Sequence, residues 1–239
     1  VYALAALVIT VGVLWAFIEY GIPELSRRAA LAMPASINKK LGAEGLQIMD
    51  RILFEPSELN EETKAKFTGA LARLSSRIEA APELRVIFRK SDSIGANAFA
   101  LPDGTIIFTD ELIELSEDDK EIIAIMAHEA GHVIGRHSLR MILQNSTVAL
   151  IISTATGDLT SVSALASAIP TILVEAKYSQ EIETEADTYA LEYMRKAGIE
   201  TVHFANILVR MGKKKGQTKG RNYLSSHPAT MDRVKRFRK

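Results

Sequence analysis

The chain has 239 residues, 29 Lys or Arg against 29 Asp or Glu, and no cysteine. Balanced charge gives no electrostatic reason to expect nucleic acid, and the lack of cysteine rules out disulfides and thiolate metal sites. A hydrophobic share of 47% is ample for a packed core. Only the end is lopsided: from Lys213 to Lys239 there are ten Lys or Arg and one acid, Asp232. That stretch reads as a mobile Gly- and Lys-rich loop, Lys213 to Arg221, followed by a solvated basic helix.

Val1 to Ile18 is apolar except for Thr10. Spanning a bilayer takes roughly 20 such residues, and a chain that starts at Val1 is expected to continue a longer one. Trp15 and Tyr20 suit a membrane interface. Glu19, Pro23, Arg27 and Arg28 follow, where a signal peptide would carry a small-residue cleavage site. Residues 1–22 therefore read as a transmembrane anchor contacting lipid, with a buried core helix as the competing reading. Residues 23–56 read as a helical linker or collar, and 57–239 as the main domain.

That domain is expected to be α+β and predominantly helical, with a small antiparallel sheet. A helix is predicted from Asn60, its cap, to Ala80, with Glu61 and Glu62 in its first turn. Strands are predicted at Val86 to Phe88, Asn97 to Leu101 and Thr105 to Thr109, the last two joined by a Pro102-Asp103-Gly104 turn. Ser116 and Asp119 suggest a capping box for a helix that runs to about Leu143. Residues 147–174 are apolar and small, interrupted by Gly157-Asp158, and read as a packed helical hairpin. Further helices are predicted from Gln180 to Lys196 and from Thr201 to Met211.

The long central helix carries His128-Glu129-Ala130-Gly131-His132. Two histidines four apart lie roughly 40° apart on a helix, one turn above each other, and can bind one tetrahedral Zn2+. Glu129 beside them is placed to take a proton from an attacking water. Gly131 is expected to leave room next to the metal. A third His six residues after His132, as in metzincins, is missing because position 138 is Ser138. His137 would lie about 180° round an unbroken helix from His128, so it joins the site only if the helix breaks, and it reads instead as a structural residue or one supporting a ligand. A third ligand is expected on the acidic helix. Its apolar face is Ile182, Ala186, Ala190, Tyr193 and Met194, and Glu183 and Asp187 fall within or beside that face. Inward carboxylates are costly unless paired or metal-bound, so Glu183 is the expected ligand. Asp187 is expected to orient a ligand His or to pair with an Arg. Glu181 and Glu185 fall on the opposite face.

These residues resemble the HtpX and CaaX prenyl protease-type family of membrane-associated zinc metallopeptidases, gluzincins with HExxH plus a distant Glu. The resemblance covers Asp50 to Arg236. It rests on four segments: Asn97 to Pro102; His128 to His132 with Arg136-His137-Ser138; Glu183-Thr184-Glu185-Ala186-Asp187; and His227-Pro228 with Arg233. One departure is Ser179-Gln180, where the family usually has Ser-Arg. The resemblance implies a zincin-like domain with one zinc held by His128, His132 and Glu183. It places His227 near the metal, stabilising an oxyanion or covering an open coordination position, and pairs Arg233 with Asp187. It makes Asn97, Ala98, Phe99 and Ala100 a strand beside the cleft, able to bind substrate by strand addition. It also implies a single-span bacterial inner-membrane protein, periplasm-facing, that cleaves unfolded, misfolded or misassembled proteins. A chaperone-like or scaffold protein with a plugged metal site is the alternative.

Overall fold

The computed structural model describes residues 2–77, 83–156, 178–214, 223–228 and 231–238. Helix α1 (Tyr2–Ala16) continues through a π turn at Phe17–Gly21 into α2 (Ile22–Ala32). Pro23 explains the widened turn: inside a helix it removes one amide donor and its ring crowds the preceding turn. Among the described residues, Tyr2–Ala32 is the one helix long and apolar enough to cross a membrane. Its 31 residues span about 46 Å, against roughly 30 Å of hydrocarbon. No side chain of α1 is buried, and no helix break marks residue 22.

Helix α3 (Ala35–Ile52) leads to β1 (Glu55–Pro56), and α4 (Glu61–Ser75) is capped as expected, the Asn60 side chain accepting from the Thr63 amide at 2.8 Å. The predicted continuation of α4 to Ala80 ends in a turn at Ser76, and residues 78–82 lie outside the described residues. Strands β2 (Arg85–Lys90), β3 (Ala98–Ala100) and β4 (Thr105–Thr109) complete a sheet of order β1-β2-β4-β3. The sheet is mixed rather than antiparallel throughout, because β2 and β4 run parallel. After β2 the chain reverses and lays β3 one strand-width away. The 102–104 turn then brings β4 back into that gap, so β4 is antiparallel to β3 and parallel to β2.

Alternation along the strands sorts two cores. Phe88, Ala98, Ala100, Ile106 and Phe108 pack in the main core with the other helices, while Phe99, Leu101 and Ile107 pack with Met49 of α3, Phe54 and Ile94. The main core holds α5 (Asp110–Leu115), α6 (Asp119–Ile134), α8 (Gln180–Ala197), α9 (Val202–Lys214), α10 (Tyr223–Ser226) and α11 (Met231–Phe237). Asp118, not Ser116, caps α6, accepting from the Lys120 amide at 2.8 Å; the Ser116 hydroxyl donates to the Ile113 carbonyl instead.

The predicted unbroken helix to Leu143 is two helices. α6 stops at Ile134, and α7 (His137–Thr156) starts after Gly135 and Arg136, whose φ is 50°. The Arg136 guanidinium donates to the Ala30 and Met33 carbonyls at 2.8 and 2.6 Å, closing the end of α2. Residues 157–177, which include most of the expected hairpin, and 215–222, which include most of the expected mobile loop, lie outside the described residues.

Candidate metal centre

His128, Glu129 and His132 come from the middle of α6, with exposures of 0%, 0% and 1%. Glu183 and Asp187 project from α8, the helix packed along α6, and His227 follows α10. Gly131 sets the distance between the two helices. A Cβ there would sit 3.0 Å from the Ala186 Cα and 3.1 Å from the Ala186 carbonyl oxygen. The room it leaves is therefore filled by α8 rather than by space beside a metal, and that close approach brings Glu183 to the histidines.

One donor atom from each of His128, His132, Glu183 and His227 lies within 4.8 Å of the others. His128 Nε2 is 3.0 Å from His132 Nε2 and 3.4 Å from His227 Nδ1. Glu183 Oε1 is 2.8 Å from His227 Nδ1 and 3.4 Å from His132 Nε2. Donors held about 2.0–2.1 Å from a tetrahedral zinc ion lie about 3.3–3.4 Å apart. The set is therefore the right size and the right chemistry for such an ion. Two orphaned atoms point the same way. Both carboxylate oxygens of Glu129 are buried without a hydrogen-bond partner, and His227 Nε2 lies 3.7 Å from Oε1.

The surrounding groups hold this quartet in place. Asp187 Oδ1 lies 3.0 Å from His128 Nδ1, so the carboxylate favours the proton on that nitrogen and leaves Nε2 free to ligate. Arg233 Nε and Nη2 donate to Asp187 at 2.8 and 2.7 Å, and Nη1 lies 2.6 Å from Glu183 Oε2. Asp187 thus both faces His128 and pairs with Arg233. Burial alone would raise the Glu183 carboxyl. The charge of His227 and the contacts with His132 and His227 outweigh it and hold the group well below the usual carboxylate range.

The helix break brings His137 against a histidine of the quartet. His137 Nδ1 lies 3.0 Å from His132 Nδ1, and His137 Nε2 lies 2.9 Å from Glu185 Oε2. Arg140 donates to the same oxygen at 2.9 Å. Burial pushes His137 down to about 4, so it is neutral near pH 7. Glu185 is exposed, as its place on the face opposite Glu183 and Asp187 predicts, and still anchors this line with its side chain 43% exposed. Two tyrosines also close over the site. The Tyr223 ring stacks on His227 with centroids 4.3 Å apart, and Tyr178 lies 4.2 Å from the His132 ring. The Tyr223 hydroxyl is buried without a partner, and burial raises it well above the usual phenol value.

The segment expected to meet substrate is the outer strand of the sheet. Asn97 pairs with Thr109 and Leu101 with Thr105 through main-chain bonds, so the amides and carbonyls of Ala98 and Ala100 face away from β4. Two of those four groups are already used: the Ala98 amide donates to Asn97 Oδ1 at 2.8 Å, and the Ser138 hydroxyl donates to the Ala100 carbonyl at 2.5 Å. The Asn97 and Phe99 side chains are buried, the latter against Phe54.

The profile of peptidase family M48 matches residues 60–239, the span that contains all of these groups. The chain belongs to peptidase family M48. It is 27% identical to the mitochondrial metalloendopeptidase OMA1 of Schizosaccharomyces pombe over 59% of this chain and 42% of that protein. It is 26% identical to the metalloprotease LoiP of Escherichia coli over 84% of this chain and 79% of that one. To the metalloprotease YcaL of the same organism it is 26% identical over 69% and 65%. The aligned region thus spans less than half of the OMA1 relative. Every donor of the M48 quartet lies inside the matched span.

Proposed function

We propose that this M48 chain is a zinc-dependent endopeptidase. The observation that carries the reading is the buried quartet, with the unpartnered carboxylate of Glu129 beside it. His128, His132 and Glu183 hold the ion. The chemistry such an ion supplies is Lewis acidity, which polarises a peptide carbonyl and brings the pKa of water down to about 7. Glu129 takes the proton of the attacking water at a carboxylate oxygen and passes it to the leaving amine nitrogen. Asp187 and Arg233 keep His128 and Glu183 in place.

His227 occupies the fourth corner, which supports covering of an open coordination position over oxyanion stabilisation as its role in this closed form. The alternative, a chaperone-like or scaffold protein with a plugged site, draws on the same contact. Substrates are unfolded, misfolded or misassembled polypeptides, a reading supported by the place of β3 at the edge of the sheet. The apolar, unburied α1 supports anchoring in a bilayer, and the sequence resemblance suggests a bacterial inner membrane with the peptidase domain in the periplasm.

Casein digestion by wild type, by Glu129→Gln and by wild type with a chelator tests the reading. Wild type should digest, and both other samples should lose about 100-fold or more of the rate. Equal digestion in all three samples contradicts a metallopeptidase. His227→Ala should keep its zinc and digest faster; unchanged or slower digestion removes the covering role.

A further inference from the structure

We propose that His137 is a positioning residue that fixes the tautomer of His132, through a hydrogen-bonded line running from Glu185 to the metal centre. The inference rests on the metallopeptidase reading above. A neutral imidazole carries one proton on its two ring nitrogens, so a hydrogen bond at one nitrogen decides what the other can do. Glu185 can only accept when ionised, and Arg140 donates to the same Oε2 atom. The 2.9 Å contact from His137 Nε2 to that oxygen therefore places the His137 proton on Nε2. His137 Nδ1 is left as an acceptor. Its 3.0 Å partner, His132 Nδ1, must then be the donor. His132 Nε2 is left with a lone pair, and it faces His128, Glu183 and His227. The opposite tautomer puts a proton on the nitrogen that must ligate.

The chain builds this line deliberately. A Cβ on residue 135 would lie 2.2 Å from His137 Nε2, so glycine is needed for the imidazole to fold back over the helix end. Arg136 takes the left-handed conformation, φ 50°, that turns α7 away and swings residue 137 toward residue 132. Its guanidinium is fixed by the end of α2, which holds the break in place. His137 is fully buried, whereas Glu185 reaches it from a partly exposed position on α8 with its side chain 43% exposed. Asp187 faces His128 from the same helix, so α8 supports both ligand histidines, one directly and one through His137.

The test uses the full chain in detergent. Zinc affinity is read by competition with a chromophoric chelator, and the His132 tautomer by imidazole 15N chemical shifts of the zinc-free protein. His137→Leu should weaken zinc binding by about 10- to 100-fold, and the His132 proton should move to Nε2. His137→Asn keeps an acceptor oxygen near the place of Nδ1 and should recover most of the affinity and the Nδ1–H tautomer, which a purely structural role does not predict. Glu185→Ala, at a partly exposed position, should lose several-fold in affinity and mix the tautomers. It decides the matter if thermal unfolding shows that His137→Leu does not fold. Wild-type affinity with the proton still on Nδ1, in His137→Leu if it folds and otherwise in Glu185→Ala, overturns the proposal. A wild-type chain that takes no zinc overturns the metallopeptidase reading instead, and the tautomer in the same samples still decides the role of His137.

Discussion

Helices α1 and α6 are nearly the same length, 15 and 16 residues, and both are rich in apolar side chains, yet α1 buries none and α6 buries twelve. The difference lies in the polar residues. Along α1 Thr10 is the one departure from apolar and aromatic residues, so nothing on it calls for a specific partner. Helix α6 carries His128, Glu129 and His132 into the core, and such groups are costly there unless something satisfies or uses them. Asp187, His137 and His227 come from other elements to meet the two histidines, and Arg233 holds Asp187 in turn. An apolar helix with no polar demand can be left to a bilayer; one that buries Glu121, His128, Glu129 and His132 needs a protein around it.

Three substitutions probe that contrast, taken from the largest expected effect to the smallest. Arg233→Ala leaves the buried carboxylates of Asp187 and Glu183 without their cation, at a cost of about 3–5 kcal/mol. Urea unfolding should show it, and a loss below 1 kcal/mol means the pair is not structural. Gly131→Val forces a branched side chain between α6 and α8, where a single Cβ already meets the Ala186 backbone at 3.0 Å. About 1–3 kcal/mol should be lost, along with zinc affinity as Glu183 is displaced; unchanged affinity detaches the helix spacing from the site. Leu7→Lys in α1 should leave unfolding of the domain within about 0.5 kcal/mol of wild type, while less of the chain partitions into vesicles. A destabilised domain would show that α1 packs against protein after all.

Much of this was legible locally. Asn60 before Glu61 and Glu62 marks a helix start, and two short apolar runs either side of a Pro-Asp-Gly turn mark β3 and β4. His128, Glu129 and His132 follow from helical spacing, and Glu183 with Asp187 from facing inward. What was not legible depends on contacts far apart in the chain. Strand order decides that β2 and β4 run parallel, and no periodicity encodes order. The apolar pattern runs straight through Gly135 and Arg136, so the break appears only once α2 takes up the Arg136 side chain. That break is why His137, about 180° away from His128 on a continuous helix, sits against His132, where the exposed Glu185 can reach it. Gly135 two residues before His137 was the available signal. His227 and Arg233 lie behind segments without helical periodicity, and resemblance rather than pattern pointed to them. Tyr178 and Tyr223 carried no signal at all.

The central claim is that the quartet is a metal site built by two helices and the segment after α10. Zinc titration of the full chain and of Glu183→Ala, with bound metal counted per chain, tests it most directly. The account predicts one tightly held zinc ion in the wild type and its loss, or an affinity lower by orders of magnitude, in Glu183→Ala. A wild-type chain that binds none, or a Glu183→Ala chain that binds it equally well, contradicts it.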